Sequence, residues 1–246
     1  MTDIPIPNCF TGLPWTCGLS GAVYFITDRA VIKRPFSNDK TSQEQLNLER
    51  RIYERLGKHP RITAFLDSPQ PDTILLERMQ YTLRNLQQQP ATQDAKRWAL
   101  QTAEGLYYIH SRGVKQVDIG TYNVLLDGEE NAKLSNFVRF SLDGSRPTIA
   151  PSVHATHPRL SIVEPTVQSE LFALGSLLYE VETTRKPFEE KREDEVEVLF
   201  EVDEYPATSG LVLRDGIRKC WTMGYRDVGE VVIDIEAIQI CSNGDG

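Results

Sequence analysis

The hydrophobic pattern changes period once, near residue 80, and that change limits the fold more than any single residue does. Ahead of it, short β-branched and aromatic runs alternate with polar turns. "GAVYFITDRAVIKRPF", Gly21 to Phe36, reads as two strands joined at Thr27-Asp28-Arg29, an antiparallel hairpin. "PDTILLERM", Pro71 to Met79, carries the apolar run of a buried strand. Between them, Leu46, Ile52, Tyr53 and Leu56 recur at helical spacing, and Gly57 ends the pattern. Beyond residue 80 helices dominate. Trp98, Leu100, Ala103, Leu106, Tyr107 and Ile109 predict one wide apolar face, stopped at Gly113. "VQSELFALGSLLYEVETT" from Val167 is apolar enough for a helix surrounded by protein, and "GLVLRDGIRKCW" and "DVGEVVIDIEAIQI" predict two more. Strands first and helices afterwards give an α+β chain: a sheet-rich front lobe over 1–79 and a helical back lobe over 80–246, sharing a cleft.

Composition excludes several classes. Apolar content of 40% with 25% charged residues suits a packed core rather than disorder. A net charge of −8 opposes a sequence-independent grip on nucleic acid, which needs a basic surface. No stretch reaches the ~18 apolar residues of a spanning helix, and no basic segment leads into an apolar run at the N-terminus. The expectation is no nucleic acid, no membrane, and a cytoplasmic or nuclear, intracellular location. Cys9, Cys17, Cys220 and Cys241 lack the paired short spacing of a zinc site or disulfide framework. His154 and His157 near Asp118 lack a third ligand at a supporting spacing, and neither Ser20 nor Ser135 sits in a nucleophile motif. The acidic stretch Pro187 to Pro206 reads as a solvated helix face, with a docking surface for basic partners as the alternative.

"GVKQVDIGTYNVLLD", Gly113 to Asp127, sets Asp118 five positions before Asn123 inside an apolar run. With "AVIK" ending at Lys33, Glu49 ahead of "RRIYERL", and "KLSNF" ending at Phe137, this order resembles the eukaryotic protein kinase fold from about Thr16 onward. "FALGSLLYEV" followed by "IRKCW" is similar to short, divergent fungal kinase-like proteins. The resemblance implies a bilobal protein kinase-like fold that binds ATP with Mg²⁺. In it Lys33 pairs with phosphates and with Glu49, Asp118 receives or orients a substrate hydroxyl, and Asn123 and Asn136 occupy the metal positions. In "TCGLSGAV", Gly18 and Gly21 match the second and third glycines of the phosphate loop, while Thr16 replaces the first. "LLERM" resembles the hinge, with Leu76 as gatekeeper and Glu77 to Met79 offering backbone groups to adenine. Val23, Val31 and Leu125 sandwich the ring, and Phe137 packs beside Tyr53.

The departures weigh against catalysis. Gln116 and Val117 stand for the His and Arg before the Asp, which removes the usual receiver of an activation-segment phosphate. Asn136-Phe137-Val138 replaces Asp-Phe-Gly, so an amide stands where a carboxylate holds metal, a loss on the scale of ~10²-fold in rate. "SIVEP", Ser161 to Pro165, is the nearest match to Ala-Pro-Glu. Glu170 replaces the Asp that anchors the Asp118 loop, and its extra methylene is expected to fit. The resulting expectation is a nucleotide-binding pseudokinase with weak or no phosphotransfer, acting with a protein partner as scaffold or allosteric regulator. Two alternatives stay open: an active ATP-dependent phosphotransferase on a Ser/Thr protein or small molecule, since Lys33, Glu49, Asp118 and Asn123 survive, and non-phosphoryl chemistry with Asp118 as general base.

Overall fold

Alternation along the front strands decides what faces what. In the computed structural model, which describes residues 13–18, 20–66, 70, 72–85, 89–137, 141–144 and 151–239, four strands form one antiparallel sheet in the order β1-β2-β3-β4. They are β1 (Thr16–Gly18), β2 (Gly21–Phe25), β3 (Ala30–Arg34) and β4 (Ile74–Glu77). Expectations resting on Cys9, Val138 and Cys241 lie outside the described residues. The predicted hairpin turn forms where Ile26 and Thr27 both donate to the Ala30 carbonyl, at 3.1 and 3.2 Å. Period-two geometry sends Val31 and Lys33 to one face, toward the main core, and Ala30 and Ile32 to the other, where they pack with Leu75.

Helix α1 (Lys40–Leu56) starts on Asp39, whose carboxylate accepts from Thr41 and Ser42 N–H, and stops at Gly57, whose φ of 62° suits glycine. Its buried stripe of Leu46, Glu49, Ile52, Tyr53 and Leu56 follows helical spacing, so the Glu49 carboxylate is carried inward with the apolar residues.

Beyond the sheet, β5 (Tyr81–Thr82), β7 (Val124–Leu126) and β8 (Ala132–Leu134) form a three-stranded sheet, and β6 (Val114–Lys115) pairs with β9 (Ser141–Leu142). The loop carrying Asp118 and Asn123 is therefore held at both ends, by β6 and β7. Helices α2 (Thr92–Ser111), α3 (Val167–Thr183), α4 (Glu193–Glu201), α5 (Arg214–Trp221) and α6 (Val228–Ala237) complete the α+β architecture. One core runs from Val31 through Tyr53, Phe137, Trp98 and Phe172 to Trp221. The long apolar helix α3 lies inside it, with Leu171, Phe172, Ala173, Leu174, Leu177 and Leu178 all buried.

Two expectations need correction. The buried face of α2 is Ala95, Trp98, Ala99, Thr102, Ala103, Leu106 and Ile109, whereas Tyr107 is 52% exposed, because it falls about 100° off that stripe. The helix read from Gly210 begins only at Arg214: the Val212 and Leu213 N–H groups donate instead to the buried Glu182 carboxylate, at 2.5 and 3.0 Å. In α4 the acidic residues face solvent while Val196 and Phe200 turn inward, as a solvated helix face requires. Among the described residues no helix is long and apolar enough to cross a membrane.

Candidate active site

Lys33 on β3 and Glu49 on α1 meet at 2.7 Å, with side chains 5% and 0% exposed. A buried ion pair is not in itself stabilising, since desolvation offsets its attraction, but removing one partner strands the other at a cost of about 3–5 kcal/mol. Ser20, at the tip of the β1–β2 hairpin, also donates to Glu49 Oε2, at 3.0 Å, and its carbonyl accepts from the Ser42 hydroxyl at 3.0 Å. The hairpin tip is thus fastened to α1, with Ser20 fully buried. Glu49 Oε1 is buried with no partner. Behind the pair, Phe137 meets Tyr53 edge-on at 4.9 Å, as expected. Burial, followed by the nearby Glu49 charge, pushes the Tyr53 phenol pKa well up, so Tyr53 stays neutral.

From Lys33 a chain of hydrogen bonds crosses to Asp118. The ammonium, which can only donate, reaches Asn136 Oδ1 at 3.2 Å, and Asn136 Nδ2 donates to Asn123 Oδ1 at 2.7 Å. Asn123 Nδ2 then donates to the Asp118 carbonyl at 2.8 Å and toward its Oδ2 at 3.4 Å. A cation at one end and a carboxylate at the other fix the sense of both amides. Asn136 adopts φ 61°, a left-handed conformation that Asn tolerates better than most residues. This donor set fits a divalent cation poorly: each amide oxygen already accepts a hydrogen bond, and neither brings the negative charge Mg²⁺ prefers.

The loop before Asp118 keeps a strained backbone. Val117 has φ 62°, an outlier for a β-branched residue, and Asp118 N–H closes onto the Gln116 carbonyl at 2.6 Å. Such conformations cost of order 1–3 kcal/mol and persist only where the surroundings enforce them. Glu170 on α3 does so: one oxygen accepts from Val117 N–H at 2.6 Å and the other is paired with His110 Nε2, so the longer side chain is accommodated as expected. Gln116 is buried as well, and neither polar atom of its amide finds a hydrogen-bond partner. Tyr122 folds back along the loop and its hydroxyl donates to Asp118 Oδ1.

Of these groups Lys33, Glu49, Tyr122, Asn123 and Asn136 line one cavity of about 690 Å³, within the range of small-molecule sites, and Asp118 lies outside its lining. Gly18, Val23, Val31, Leu76, Glu77, Met79 and Leu125 line it together with Lys33, Glu49, Asn123 and Asn136. Gly21 does not: its φ is 147°, and a Cβ there would stand 1.8 Å from the Arg34 carbonyl oxygen, so sheet packing accounts for that glycine. The Glu77 carboxylate accepts from Lys133 at 2.9 and 3.0 Å and from Ala64 N–H at 2.7 Å. His154 bonds to the Pro187 carbonyl, while the buried His157 lies 3.6 Å from Asp203 and edge-on to Phe172, so neither joins Asp118. In "SIVEP" the Ser161 hydroxyl accepts from Val163 and Glu164 N–H, and Ile162 and Val163 are exposed. Sequence reasoning missed Ser20 and Tyr122; Tyr122 sits inside the Asp-x-x-x-x-Asn spacing, where only the ends carry a pattern.

An antiparallel sheet over a helical body, with a Lys–Glu pair facing an Asp–Asn loop across a cavity, defines a kinase-like class. The chain belongs to the protein kinase domain family, whose model matches residues 27–209. It is 27% identical over 160 residues to a serine/threonine-protein kinase-like protein of Arabidopsis thaliana, covering 61% of this chain and 47% of the relative. Protein kinase C-like 1B of Caenorhabditis elegans is 30% identical over 171 residues, 62% of this chain and 23% of that one. Serine/threonine-protein kinase fused of Drosophila melanogaster is 27% identical over 195 residues, 70% and 23%. The chain spans about half or less of the length of these relatives.

Proposed function

We propose that this protein kinase-fold chain binds a nucleoside triphosphate in the cleft between residues 1–79 and 80–246 and transfers phosphate weakly or not at all. It then works as a pseudokinase scaffold or allosteric regulator of a protein partner. The observation that carries this reading is the Lys33–Asn136–Asn123–Asp118 relay, in which neutral amides pair with each other at the position where phosphate chemistry calls for metal-bound charge. Val23, Val31 and Leu125 offer apolar walls to a purine. The Glu77 and Arg78 N–H groups are engaged by the Ala64 and Arg29 carbonyls, which leaves the Met79 N–H as the donor to the base edge. Lys33, already held by Glu49, is the cation aimed at phosphate. ATP is the expected nucleotide, with Mg²⁺ contributing little.

Thermal unfolding with and without ATP tests the cleft. At about 100 times the dissociation constant, ligand stabilises by about 2.7 kcal/mol. Wild type is expected to show that shift and Lys33→Ala to lose it, each compared with its own unliganded baseline because Lys33→Ala also strands Glu49. An undiminished shift in Lys33→Ala would move the nucleotide to another site.

The second reading, an active phosphotransferase, draws on the intact Lys33–Glu49 pair and the strained Asp118 loop, which are the parts a working cleft needs in place. It requires Asn123 and Asn136 to release each other when nucleotide and metal arrive.

A further inference from the structure

Helix α4 is anchored by its inner face, where Val196 and Phe200 are fully buried, and its outer face carries two pairs that its own stability does not explain. Val198 and Val202 are 58% and 60% exposed. The Val202 N–H still bonds to the Val198 carbonyl at 3.2 Å, so the two side chains stand one turn apart on the same side. A single exposed apolar residue is ordinary, but two β-branched ones stacked in this way bring neither burial nor helix propensity. Glu197 and Glu201 repeat the spacing as like charges, which repel at i, i+4, and Glu201 sits in the last turn, where the helix dipole disfavours a carboxylate. Residues 189–204 hold nine acidic side chains and two basic ones, a net −7 of the chain's −8. Arg192 is engaged by Asp194 and Glu195, at 3.0 and 3.4 Å, while Glu193, Glu197, Glu201 and Glu204 make no ion pair among the described residues.

Positions that break local rules without a folding benefit are expected where a surface has another task. We propose that the outer face of α4 docks a basic amphipathic helix of a protein partner. The partner's apolar stripe covers Val198 and Val202, while its lysines and arginines meet Glu197, Glu201 and the carboxylates beside them. The sign of the charge selects this occupant: nucleic acid, an anionic lipid surface and the same face of a second copy are all repelled. Asp203, next in the chain after Val202, opens onto a surface groove of about 530 Å³ lined also by Arg159, Leu160, Trp221, Thr222 and Met223, which seats one apolar side chain at the end of the docked helix. Arg159 does not oppose a basic partner there, because Asp203 already holds it at 2.5 Å. No α4 residue lines the nucleotide cavity, so the docking face goes beyond the cleft reading and does not depend on it.

Fluorescence anisotropy on the full chain, without nucleotide, tests the face. The probe is a synthetic peptide of about 20 residues with leucines at every third or fourth position and lysines between them; a scrambled peptide of the same composition keeps the charge and loses the stripe. The striped peptide is expected to bind about tenfold more tightly than the scramble. Val198→Ser with Val202→Ser, which keeps every charge, is expected to erase that preference. Glu197→Gln with Glu201→Gln is expected to weaken the striped peptide about threefold to tenfold at low salt, with the difference shrinking at high salt. Neither pair of substitutions is expected to lower stability in urea unfolding or to change the ATP-induced thermal shift. Equal binding of the two peptides, binding of neither, or a preference that survives the serines would overturn the site. Self-association of the chain that the serines abolish would give the face to a second copy and overturn it as well. A wild type without the ATP-induced shift would sink the cleft reading alone, and the peptide result would still decide the docking face.

Discussion

Leaving a buried polar group unpaired costs about 1–3 kcal/mol, and both polar atoms of the Gln116 amide are in that state. The resemblance places an imidazole there, and the amide that replaces it finds no partner. Gln116→Met keeps the length and removes both orphaned atoms. It is expected to raise stability by about 1–3 kcal/mol in urea unfolding at constant m-value. A loss of that size would mean that the amide is satisfied in solution. Lys33, Glu49, Asp118 and Asn123 were legible because their motifs are local in sequence. The partners that decide their chemistry were not, because each lies across the fold: Ser20 reaches Glu49 only after the hairpin docks on α1, and Asn136 reaches Asn123 only after β7 and β8 pair.

Among the elements, α3 shows how far a pattern can be read. Its near-continuous apolar run announced a buried helix, yet nothing in that run told which position touches which neighbour. Gly175 turns out to be the contact point, where a Cβ would stand 2.7 Å from Cys220 Cβ and 3.1 Å from Trp221 Cδ1 on α5. Gly175→Ala gains about 1 kcal/mol of helix propensity but overpacks a filled core, which typically costs about 1–3 kcal/mol. The expected net effect in urea unfolding is destabilisation, with near-ultraviolet dichroism reporting a disturbed Trp221; a stabilised variant would show that α5 yields easily. The α2 face and the start of α5 were misread for separate reasons. Tyr107 is apolar enough to count toward a stripe it does not join, and Glu182, distant in sequence, takes the two N–H groups that would have begun the helix earlier.

For the molecule as a whole, acid sensitivity follows from two imidazoles. Burial, reinforced by Arg61 beside His59 and by Arg159 beside His157, lowers both pKa values below the ordinary 6.5. The unfolded chain therefore takes up these protons first. The stability they contribute is whole above pH 6.5 and drains away as pH falls below it toward the folded-state values. Carboxylates held low, such as Asp234 hydrogen-bonded by Lys219, act only further down, below about pH 4. Unfolding free energy is thus expected to decline between pH 6.5 and 5, with a shallower slope in His157→Gln; an unchanged slope would remove His157 from the account. The central claim is that an amide relay has replaced the metal position of a nucleotide cleft. Its most direct test is the ATP affinity of wild type and Asn136→Asp, titrated with and without Mg²⁺. Wild-type affinity is predicted to change by less than about tenfold, or ~1.4 kcal/mol, on adding the metal, while Asn136→Asp tightens by more than that. A wild type that depends on Mg²⁺ as strongly as the aspartate variant would contradict the account.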